Sequence, residues 1–143
     1  MVQQLVIGSL LIVVTALVTA PGWWALEAVL GKLRPRIARR PHGPKLTLTL
    51  ALAMLWSLAM VTVAVWIWAF AFWWLGTFET FEASVYFALV VFTTLGFGDV
   101  LMVPEWRLLG GLAAANGLLL FGLLTAMLVE TLSTTRVHQR EGD

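Results

Sequence analysis

The chain has 143 residues, 60% of them hydrophobic and only 12% charged, far below the roughly 25% charge usual in a soluble domain, so it belongs in a membrane. The net charge of +1 says little about partners, and neither nucleic acid nor a small-molecule substrate is expected among them. With no cysteine and only His42 and His138, disulfides, thiolate catalysis and thiolate metal sites are excluded, and a histidine-rich metal centre is not expected.

Residues 1–30 predict an extra N-terminal transmembrane helix, with a kink at Pro21 and with Trp23 and Trp24 at an interfacial aromatic belt. Val18-Thr19-Ala20 resembles a signal-peptide cleavage site, but the first four residues carry no basic side chain and Pro21 would follow the cut, so the helix is expected to be retained. Residues 31–45 read as a Pro-rich basic linker holding six of the nine Lys and Arg. Residues 46–75 contain no charge and no proline, whereas about 20 apolar residues suffice to cross the hydrocarbon. Trp66, Trp68, Trp73 and Trp74 crowd the end of this second helix, where aromatic anchoring is the default explanation.

The next apolar stretch, "FEASVYFALVVFTT" at residues 81–94, is too short to cross and predicts a helix that enters the membrane and returns. "LGFGD" follows, with two glycines one residue apart that break any helix. Irregular backbone at membrane depth must be buried in protein or line a watery cavity, because unpaired peptide groups cost several kcal/mol in hydrocarbon. A third crossing lies at residues 108–129, and residues 133–143 form a short cytoplasmic tail. The basic linker and the tail, with Arg136 and Arg140, are expected on the cytoplasmic side of the cell (inner) membrane. The acidic connection with Glu79, Glu82, Asp99 and Glu105 then faces outward, as does the amino terminus.

Thr93-Thr94-Leu95-Gly96-Phe97-Gly98-Asp99 resembles the selectivity-filter signature of the potassium-channel pore-loop family, usually T-T-V-G-Y-G-D, and "NGLLLFGLLTAML" at residues 116–128 resembles the inner helix of its small bacterial members. The resemblance covers roughly residues 46–132, expected as a pore domain of outer helix, pore helix, filter and inner helix. It implies an all-α membrane protein of three transmembrane helices, a re-entrant pore helix and filter loop between the second and third, and a homotetrameric pore in membrane lipid. It further implies that the carbonyls of Thr94, Leu95, Gly96 and Phe97, with the Thr94 hydroxyl, coordinate potassium ions. Gly98 completes the filter, Thr93 and Asp99 support it and form the outer mouth, and Leu95 and Phe97 pack behind it. No cofactor is implied beyond potassium in the filter. Gly117 falls where the family often has a gating hinge, while Asn116, Thr125 and Glu130 are candidates for the cavity or inner mouth. The chain departs from the family pattern at Phe97 for Tyr, at Leu95 for Val, and at Val90 where some members carry Glu.

The expected function is passive potassium conduction and not catalysis, with a weakly selective monovalent cation channel as the alternative. Gly96-Phe97-Gly98-Asp99 also fits the G-x-G-D pattern of intramembrane aspartyl proteases, but such catalysis pairs two carboxylates and the only other aspartate is Asp143. A non-conducting membrane subunit, with the turn serving only for packing, is the structural competitor.

Overall fold

The computed structural model describes residues 1–37 and 42–141. Four α-helices and one short 3-10 turn follow in the order α1 (Val2–Ile37), α2 (His42–Trp74), α3 (Phe81–Phe92), the 3-10 turn Pro104–Trp106, and α4 (Arg107–Glu141). Among the described residues three stretches are long and apolar enough to span a membrane: Val2–Val29, Thr47–Trp74 and Pro104–Glu130. α3 is apolar but has only 12 residues, about 18 Å at 1.5 Å per residue, too short for a hydrocarbon core of about 30 Å.

Helix boundaries depart from expectation in the linker and the tail. α1 continues through Pro21 and on to Ile37, and α2 begins at His42, so most of the expected linker is helical. The rest of it, residues 38–41, lies outside the described residues. α4 likewise continues to Glu141, making most of the expected tail helical.

The core forms where α2, α3 and α4 meet. Val61, Ala64, Val65, Trp68, Ala69 and Phe72 recur at helical spacing on α2, and Phe87, Ala88 and Phe92 of α3 and Leu109, Ala113, Leu120 and Leu124 of α4 are buried in the same cluster. Phe72 meets Phe87 edge-on at 5.5 Å between ring centroids, and Trp68 meets Phe92 at 6.3 Å, within the range at which tilted aromatic pairs attract. Trp68 is therefore not an interfacial anchor: it is fully buried, whereas Trp66, Trp73 and Trp74 remain exposed.

α2 ends in a Schellman motif, with Gly76 at φ +66° and the N–H groups of Gly76 and Thr77 donating to the carbonyls of Trp73 and Phe72. That turn delivers the chain to Thr80, whose hydroxyl accepts from the Ala83 N–H at 3.2 Å and caps the first turn of α3. Glu82 in that turn complements the positive end of the helix dipole.

Candidate functional site: the segment after α3

The end of α3 sets the conformation of residues 93–99. The Thr94 N–H donates to the Val91 carbonyl and the Leu95 N–H to the Val90 carbonyl, the bond pair of a second Schellman motif. Its geometry demands a left-handed residue at the position Thr94 occupies, and Thr94 has φ +57°. Glycine is the usual residue there, because a left-handed conformation costs an L-residue roughly 1–2 kcal/mol. A β-branched threonine is the costly choice.

The left-handed conformation then recurs at every second residue, with Gly96 at φ +57° and Gly98 at φ +76°. Alternating residues of positive and negative φ rotate successive peptide planes so that carbonyls can share one side of an extended strand, which a β-strand does not permit. Glycine lowers the cost of that alternation at two of its three positions.

The chain also reverses direction. Tyr86 lies six residues before the last residue of α3, about 9 Å up the helix, and its hydroxyl donates to Asp99 Oδ2 at 2.5 Å. Residues 94–99 therefore run back alongside α3 to reach it. The other carboxylate oxygen of Asp99 accepts the Val100 N–H at 3.0 Å, so Asp99 ties the segment to the helix behind it.

The Tyr86 hydroxyl holds the Asp99 carboxyl below the usual carboxylate range, and accepting that bond as a carboxylate pushes the Tyr86 phenol up. Asp99, lowered in the folded state, stabilises above its unfolded value of about 3.9, and this is lost as pH falls through the folded pKa. Tyr86, raised in the folded state, stabilises below about 10, and this is lost as pH rises through its folded pKa. The strap thus holds from mildly acidic to strongly basic pH. Tyr86→Phe is expected to lower the melting temperature throughout that window, with the difference from the parent closing in strong acid. Melting curves across a pH series check this, and a difference independent of pH would refute it.

Residues 93–99 are all exposed in the single chain. Leu95 and Phe97, expected to pack behind the segment, are 56% and 65% exposed, so their own chain does not cover them. The hydroxyl absent from residue 97 has a counterpart in the one at Tyr86, which sequence reasoning missed. Its signal was the chain's single tyrosine, immediately before the apolar second half of a short helix.

The α4 candidates fall into two groups. Gly117 and Asn116 are buried, whereas Thr125 and Glu130 are exposed. A methyl group on Gly117 would lie 2.6 Å from both Cα and O of Phe92, so the backbones of α3 and α4 touch there and the expected hinge position has a packing reason to be glycine. Gly117→Ala forces those helices apart and is expected to cost about 1–3 kcal/mol of stability, as overpacking does. Chemical denaturation checks it, and an unchanged midpoint would contradict the contact. Asn116 Nδ2 and Trp68 Nε1 are buried without a hydrogen-bond partner among the described residues. The Thr125 hydroxyl donates to the Phe121 carbonyl at 2.9 Å.

A family model described as "Ion channel" matches residues 60–134, from the middle of α2 through the Tyr86–Asp99 strap into α4. That is just over half of the chain. The chain belongs to this ion-channel family. Membership assigns it to the passage of ions through a membrane and not to an enzyme class. No curated protein and no solved structure matches the chain. In this channel the aspartate of the G-x-G-D pattern is engaged by Tyr86 and by backbone, an arrangement that fixes a turn.

Proposed function

We propose that four copies of this channel surround an axis and pass potassium ions through a filter built from residues 94–98. The observation that carries the reading is the left-handed backbone at Thr94, Gly96 and Gly98, three alternate residues in a segment that its own chain leaves uncovered. Carbonyls of Thr94, Leu95, Gly96 and Phe97 from four chains replace the hydration shell of the ion with hard oxygens that carry no full charge. One chain supplies one wall of such a ring, so closure by rotational symmetry is part of the function.

The rest of the site fits the same reading. α3 enters the membrane as a re-entrant pore helix, and its C-terminal dipole favours a cation at the inner end of the filter. The exposed stripe of α4 (Gly111, Ala115, Leu118, Gly122, Thr125 and Val129) meets the axis and the neighbouring copies, where small residues permit close approach. Thr93 and Asp99 support the filter, and Glu130 sits toward the cytoplasmic mouth. The basic residues of the 31–45 segment lie inside, and the filter exit and amino terminus outside.

The test is the reversal potential of the reconstituted channel under a potassium/sodium gradient. Potassium selectivity predicts a reversal near the potassium equilibrium potential. The second reading, a weakly selective cation channel, rests on Phe97, which has no hydroxyl to tie the filter to its surroundings. It predicts a reversal near zero, moving toward potassium in Phe97→Tyr.

A further inference from the structure

α1 lies outside the residues matched by the ion-channel model, yet it is keyed into the channel unit at several points. The Gln4 side-chain amide donates to the Glu105 carbonyl at 2.5 Å, and its oxygen accepts the Leu109 N–H at 3.1 Å. Leu109 is the third residue of α4, one of the four positions whose N–H has no partner within its own helix. A side chain over a hundred residues earlier therefore caps the first turn of α4.

One turn along, a methyl on Gly8 would lie 2.4 Å from Leu112 Cδ1, so α1 and α4 are in close approach. Thr15 and Thr19 continue the same face, both buried, with hydroxyls donating at 2.8 Å to the carbonyls of Leu11 and Thr15 in their own helix. Further on, the partner changes: the Trp56 indole N–H donates to the Gly22 carbonyl at 3.0 Å, and a methyl on Gly22 would lie 2.3 Å from Met60 Sδ. α1 thus meets α4 near the filter exit and α2 nearer the cytoplasmic end, while Leu118, Leu119, Leu123 and Val129, beyond the first three turns of α4, stay exposed.

We propose that α1 is a fixed brace within each subunit and that Gln4 is a positioning residue that clamps the outer end of α4. With the first turn of α4 held, displacement of that helix is confined to its cytoplasmic half. The clamp also holds the 3-10 turn through which the chain returns from the filter segment, because Glu105 belongs to that turn.

The chain has no cysteine, so an introduced pair reports without background. A Cβ on Gly8 would stand 3.2 Å from Leu112 Cβ, within a few tenths of an ångström of the about 3.5–4.5 Å that a disulfide spans. In Gly8→Cys/Leu112→Cys, mild oxidation is expected to give a bond within one chain, seen on a non-reducing denaturing gel as monomer that no longer takes up a thiol-reactive maleimide label until it is reduced. Rubidium flux into liposomes is expected to be the same, within twofold, before and after reduction. A ladder of linked chains, no disulfide, or flux that falls on oxidation and returns on reduction would each overturn the fixed intrasubunit brace.

Gln4→Leu provides a second readout. Hydrogen exchange in the peptide holding residues 105–110 is expected to quicken by about tenfold, the scale of one hydrogen bond, while exchange in α3 stays unchanged. Gln4→Glu keeps the acceptor for Leu109 and places a negative charge at the positive end of α4, so it is expected to restore slow exchange. Unchanged exchange in Gln4→Leu would refute the clamp. The gel and exchange readouts need no conduction, so a silent protein would count against potassium passage and leave the brace to be judged on these two.

Discussion

Gly96→Ala is expected to reduce rubidium flux by at least about tenfold while leaving a folded, assembled protein. The reason is conformational. Gly96 has φ +57° and nothing within 4 Å of where a methyl group would stand, so alanine meets no obstacle in its own chain and is penalised by backbone strain alone. At roughly 1–2 kcal/mol per L-residue, repeated in the four copies of the proposed ring, the strain is comparable to the whole stability of an ordinary domain, about 5–15 kcal/mol. The segment will relax instead, turning the carbonyl of residue 96 away from its neighbours. Gly31→Ala is the matched control, because Gly31 lies within α1 and also has nothing within 4 Å. There alanine improves helix propensity by about 1 kcal/mol, and flux is expected to persist. Parent-like flux in Gly96→Ala would remove residues 94–98 as the ion path.

The second expected result has opposite signs in stability and function. Thr94 holds the left-handed position that closes a Schellman motif, at φ +57°. Replacing it with glycine relieves about 1–2 kcal/mol of left-handed strain and adds back about 0.5–1 kcal/mol through the greater freedom of the unfolded chain. Thr94→Gly is therefore expected to raise the melting temperature slightly. The same change removes a hydroxyl from the inner end of the proposed filter, and rubidium flux or potassium preference is expected to fall severalfold. Thr94→Ser keeps the hydroxyl and should retain most of the selectivity. A strained residue kept at a position that suits glycine is the pattern of a functional site. If Thr94→Gly were less stable and equally selective, the hydroxyl would have only a structural role.

The proposed filter needs both features, because they act on different properties of one segment. Alternating handedness sets where the carbonyls point, and the Tyr86–Asp99 strap sets how far the segment stands from α3. Gln4 acts on the far side, where the chain leaves the segment and enters α4. Each of the three is a short-range bond or dihedral with a long-range consequence, because packed helices move as units and not by gradual deformation.

Much of the site was legible as sequence. Two glycines one residue apart, after an apolar run too short to cross a membrane, already demanded unusual backbone in a protected place. Tyr86 was harder to see, since a tyrosine thirteen residues before an aspartate has no meaning until the chain is known to fold back on the helix. Trp68 lies near the end of a span, where tryptophans usually anchor. Its neighbours at 66, 73 and 74 stay exposed, and only the packing of α3 against one face of α2 separates them.

Sequence by itself determined the solvent, the three spans, the short apolar helix and the alternate glycines, since each follows from local composition and backbone sterics. Tertiary structure alone decided which faces meet. α1 is apolar on nearly every side, so hydrophobic periodicity could not orient it. Gln4, Gly8, Thr15, Thr19 and Gly22 mark its packed face only once α2 and α4 are seen against them. In a membrane the lipid is as apolar as the core, so what distinguishes a buried face is small size and a satisfied polar group. Both are properties of a pair of helices, not of one.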